Sequence, residues 1–109
     1  MSNGFIVTLN NQTIYEFNET RHPARLRRHL EEIDEELNQG IKLGEQWFDK
    51  PDSFQKQQYV AMVLLNALDH NKTDLVSLMA AFLSVNFCKL KEIRATNNED
   101  YFNFTLISK

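Results

Sequence analysis

The stretch Phe5-Ile6-Val7-Thr8-Leu9-Asn10-Asn11-Gln12-Thr13-Ile14-Tyr15-Glu16-Phe17 decides the fold class. Both flanks are rich in β-branched and aromatic residues, which fit a pleated, half-buried surface. Between them, Asn10-Asn11-Gln12 is turn chemistry, because asparagine tolerates positive φ. The spacing predicts a hairpin with a three-residue loop. Phe5, Val7 and Leu9 share one face of the first strand, and Thr13, Tyr15 and Phe17 share one face of the second.

The far end of the chain repeats the signal. In residues 101–107, Phe102, Phe104 and Leu106 alternate to one face around Asn103 and Thr105, the period of a half-buried strand. Residues 96–100 read as a loop, preceded by a strand from about Leu90. Strands at both ends with helices between predict an α+β fold in the order ββαααββ. Its N- and C-terminal hairpins would form a small antiparallel sheet packed against about three helices. Residues 101–107 are then the more apolar of two candidate edge strands.

Between the hairpins, Leu26, Leu30, Ile33, Leu37, Ile41 and Phe48 fall on one stripe at helical spacing. Thr20 is a possible cap, and Pro23 sits where a first-turn proline is tolerated. Unbroken over residues 24–48, this helix would be about 37 Å long at 1.5 Å per residue. That is long beside a domain radius of gyration of about 13 Å. Gly40 and Gly44 are the places for it to end, kink or turn. Residues 49–53 stop the pattern, and Pro51 fits at or near the first position of a second helix, after Asp49 or Lys50. That helix carries Phe54, Tyr59, Met62, Val63, Leu65 and Leu68 and ends near His70-Asn71. Thr73 can cap a third helix, from Asp74 to about Val85. It is apolar nearly all round, as a central buried helix is.

The 109 residues are 42% hydrophobic and 25% charged, enough for one domain with a real core. No linker, repeat or low-complexity tract divides them. Twelve basic and fifteen acidic residues give a formal charge of −3, which argues mildly against coating nucleic acid nonspecifically. A single cysteine, Cys88, excludes an intrachain disulfide. The start Met1-Ser2-Asn3-Gly4 has neither a basic run nor an apolar one. The apolar stretch over 75–87 is interrupted by Ser77, Ser84 and Asn86 and is too short to span a bilayer. The expectation is a soluble cytoplasmic protein without a membrane partner.

Chemistry-bearing groups are sparse. Arg21, Arg25, Arg27 and Arg28 with His22 and His29 open the first helix, and Arg21, Arg25 and Arg28 point away from the leucine stripe. Arginine forks suit phosphate. Against that, Arg27–Glu31 and Arg28–Glu32 are neighbours one turn apart and can pair, as on an ordinary solvated face. The order, basic first and acidic after, runs against the helix macrodipole. His29 and Glu32 have ligand-like spacing, but the second motif that a metal centre needs is missing. Cys88 follows an apolar run and reads as a buried thiol. Three glycines leave no phosphate-cradling loop. No cofactor or metal is expected.

Leu43 and Trp47 remain. If the first helix runs past Gly40, both fall toward the arginine side and form an exposed docking patch. If it breaks there, both turn into the core. With no catalytic constellation, the leading expectation is a non-enzymatic protein-interaction or regulatory module that self-associates. Its partner-binding residues would be Leu43, Trp47, Arg21, Arg25 and Arg28, and its partner a second copy or another protein. The alternative is a nucleic-acid-binding regulator using Arg21, Arg25 and Arg28.

Overall fold

The computed structural model describes residues 4–18, 24–87, 89–97 and 102–108, and of these all side chains except those of residues 24–26 and 102. In chain order the elements are β1 (Phe5–Leu9), β2 (Gln12–Phe17), α1 (Ala24–Leu37), β3 (Ile41–Leu43), β4 (Gln46–Phe48), α2 (Ser53–Asp69), α3 (Thr73–Asn86), β5 (Leu90–Asn97) and β6 (Phe102–Ser108). Among the described residues this is an α+β fold. It has three helices, a four-stranded sheet ordered β2-β1-β5-β6 and a separate two-stranded sheet, β3-β4.

The opening hairpin forms with a tighter turn than its sequence predicts. Leu9 pairs with Gln12, so only Asn10 and Asn11 make the turn, at φ 51° and 68°. A two-residue turn with both φ positive matches the twist of the flanking strands, and Asn is among the few L-residues to accept it. The register then shifts between Val7–Tyr15 and Thr8–Thr13, which bulges Ile14 out and leaves it 42% exposed. The bulge sets Tyr15 and Phe17 opposite Val7 and Phe5, whose ring stacks on Phe17 at 5.6 Å. Thr13 pairs with Thr8 and so leaves the face assigned to it with Tyr15 and Phe17.

The four-stranded sheet is mixed, which corrects the expected antiparallel one. β1 runs parallel to β5, and β5 antiparallel to β6. Side-chain alternation fixes which face of a strand is buried but not the direction in which two distant strands meet. Here the two most buried strands take the centre and the more polar β2 takes an edge. A parallel join needs a long crossover, which the helices between β2 and β5 supply.

The helices pack on one face of this sheet. Phe5, Val7, Ile93 and Ala95 from the central strands share the core with Val60, Leu64, Leu65, Phe82 and Leu83. α3 is buried over most of its length, from Val76 to Ser84, as its all-round apolarity predicts. α2 begins with a capping box. The Gln55 N–H donates to Asp52 Oδ1 at 2.8 Å and the Asp52 N–H to Gln55 Oε1 at 2.9 Å, satisfying two otherwise orphaned donors. Pro51 therefore precedes the cap, buried, rather than opening the helix. The helix closes with Asn71 at φ 55°, where the Lys72 N–H reaches Ala67 O at 2.9 Å, a Schellman ending. Lys72 takes the cap position of α3, and Thr73 is its first residue.

α1 ends at Leu37, and Gly40 turns the chain at φ 129°. Residues 41–48, the continuation of the leucine stripe, fold back as β3–β4 around Gly44 at φ 62°. Ile41 stays buried and Leu43 and Phe48 are half-buried against the core. The long-helix alternative is thereby corrected.

Candidate functional site

The hairpin β3–β4 places its residues by strand parity. Ile41 pairs with Phe48 and Leu43 with Gln46, while Lys42 pairs with Trp47 on the opposite face. Trp47 is consequently 57% exposed. The break at Gly40 turns Leu43 half inward, as that alternative predicts, but leaves Trp47 outside, which corrects its assignment to the core.

Trp47 is nevertheless held. Its indole ring lies over Gly40, where even a methyl group would collide with it. Its Nε1–H donates to Asp49 Oδ1 at 2.5 Å. The platform is anchored in turn, since Ile41 is 3% exposed and Leu43 and Phe48 pack on the core. An isolated two-stranded hairpin is marginal in water, so this burial is what fixes it. Just beyond the turn, Phe54 in the first turn of α2 is 59% exposed.

The arginine cluster is only partly within view. Arg21 lies outside the described residues, as do His22 and Cys88, and Arg25 is placed in α1 by its backbone alone. Arg27, Arg28 and His29 are exposed. Among the described residues the ion pairs are Lys56–Asp34 at 3.0 Å, Arg94–Glu92 at 3.0 Å and His70–Asp69 at 3.9 Å. Neither Arg27–Glu31 nor Arg28–Glu32 forms. Trp47 and Leu43 thus belong to the hairpin, and Arg25 and Arg28 to α1. Among the described residues no group of three or more His, Cys, Asp and Glu side chains is placed to hold a metal. No described helix is long and apolar enough to cross a membrane.

One polar cluster has no forerunner in the sequence reading. On the sheet face away from the helices, Glu92 Oε2 accepts from Thr8 Oγ1 at 2.8 Å and from Arg94 Nε at 3.0 Å. The hydrogen bonds from Arg94 and Thr8 hold the Glu92 carboxyl below the ordinary carboxylate range. Thr8 and Glu92 are buried while Arg94 is exposed. A carboxylate locked in its charged form by two donors is a poor proton donor near neutrality. The cluster fastens β1 to β5. Only the Glu92 and Arg94 alternation on one face of β5 hints at it in the sequence.

No family model matches this chain, and no curated protein or solved structure matches it either.

Proposed function

We propose that this chain is a non-enzymatic protein-interaction module that self-associates, with Trp47 on the β3–β4 hairpin as its anchor. One observation carries the reading: a large aromatic ring is exposed yet fixed, by Gly40 beneath it and Asp49 at its nitrogen. Tryptophan is enriched among residues that dominate interface energies. A side chain already ordered in the free protein loses little freedom on binding. Leu43 faces the core on the other side of the hairpin and takes no part in the exposed surface, while Phe54 in the first turn of α2 is a second exposed aromatic ring. The test is sedimentation of the wild type and Trp47→Ala across the micromolar range. Concentration-dependent association that the substitution abolishes supports the reading, and a wild type that stays monomeric removes it.

A second reading, nucleic-acid binding through Arg21, Arg25 and Arg28, draws support from Arg28, which is exposed and makes no ion pair among the described residues. It requires duplex binding that weakens with salt by a slope near −0.9 per phosphate contacted. No binding at about 50 mM salt eliminates it.

A further inference from the structure

α1 carries an outward stripe that is symmetric in spacing and antisymmetric in charge. Leu30 and Leu37 are buried and Ile33 half-buried, which defines the packed side. At 100° per residue, positions 28 and 35 fall along the middle of the opposite side, with 32 and 25 about 50° and 70° to one flank and Glu31 about 50° to the other. Positions 25, 28, 32 and 35 read Arg, Arg, Glu, Glu. Arg28, Glu32 and Glu35 are exposed, and Arg25 is placed by helical spacing. The steps of three, four and three are the same in either direction.

Such a stripe is complementary to itself when a second copy is laid on it antiparallel. Position 28 then faces position 32 of the other copy, and 25 faces 35, so each of these contacts joins an arginine to a glutamate. A parallel arrangement sets arginine on arginine and glutamate on glutamate. A two-fold contact between identical chains requires this self-complementarity.

Two further features fit. Arg28 and Glu32 stand one turn apart in one chain, and among the described residues they do not pair with each other. The helix also has no acidic residue in its first turn and no basic residue in its last, an order that the macrodipole disfavours. An antiparallel partner reverses that disadvantage, because each basic end then lies beside the negative helix end of the other copy.

We propose that two copies of this chain meet α1 to α1, antiparallel, about a two-fold axis that crosses the outward side of α1 midway between Arg28 and Glu32. This rests on the self-association reading and names its geometry. Exposed ion pairs contribute little each, so the stripe sets orientation and register.

The test uses two charge variants of the full chain, Arg25→Glu with Arg28→Glu, and Glu32→Arg with Glu35→Arg, with circular dichroism to confirm that each is folded. Sedimentation at about 50 mM salt should show each variant alone associating about tenfold more weakly than wild type. Their equimolar mixture should recover association, as a mixed dimer by native mass spectrometry. The chain carrying all four reversals should dimerise again. If a double variant does not fold, Arg28→Glu and Glu32→Arg alone carry the same comparison. If the wild type associates and the variants associate equally well, or if mixing restores nothing, the α1 geometry is overturned while the self-association reading stands. A wild type that never associates overturns both.

Discussion

The two described hairpins that precede α2 are made alike and used differently. β1–β2 turns on Asn10 and Asn11, and β3–β4 turns at Gly44, all at positive φ. In the first, β1 enters the centre of a four-stranded sheet and buries Phe5 and Val7. In the second, three-residue strands stay a separate sheet, bury Ile41 and leave Trp47 exposed. The same local chemistry yields a foundation in one place and a display in the other. The difference lies in how many apolar side chains find a second layer. Under the proposed reading, aromatic residues should answer to different quantities in the two hairpins: Phe5 to folding free energy, Trp47 to association.

The largest expected effect lies in the first hairpin. Phe5→Ala removes a buried ring stacked on Phe17 and should cost about 3–5 kcal/mol in urea unfolding. A loss below about 1 kcal/mol breaks the contrast, because the sheet would not then depend on this hairpin.

Next is Gly40→Ala in the second. Alanine meets both a φ of 129° and the Trp47 ring, so a loss of about 2–3 kcal/mol is expected. Adding Trp47→Ala removes the collision but not the backbone strain. The double variant should be more stable than Gly40→Ala alone, and strict additivity contradicts the placement of the indole.

A finer cut concerns the joint between β1 and β5. Glu92 is held below its ordinary value by Arg94 and Thr8. Its contribution to stability is therefore present above the usual carboxylate range and is lost as pH falls through the lowered folded-state value. Glu92→Gln should flatten the fall in stability as pH drops through and below the ordinary carboxylate range, relative to wild type. Equal slopes mean that the cluster does not fasten the strands.

Much of this architecture was legible because it is local. Alternation in residues 5–17 and 101–107 marks four strands with the one from Leu90, and the apolar run of α3 marks the buried helix. The parallel meeting of β1 with β5 was not legible, since it depends on which distant strand offers a matching face. The Thr8–Glu92 contact was hidden for the same reason. The β3–β4 hairpin was masked by coincidence. Ile41 and Phe48 continue the stripe of Leu30 and Leu37 at helical spacing, yet they also suit a cross-strand pair once Gly40 turns the chain. Sequence singled out Leu43 and Trp47 on a helical rationale, whereas strand parity is what separates them.

The smallest expected stability change, and the most direct test, is Trp47→Ala followed by sedimentation beside its urea unfolding curve. An exposed ring should cost about 1 kcal/mol or less, with wild-type self-association in the micromolar range abolished in the variant. A wild type monomeric throughout that range, or a variant that associates as the wild type does, would contradict the assignment of Trp47 as the anchor.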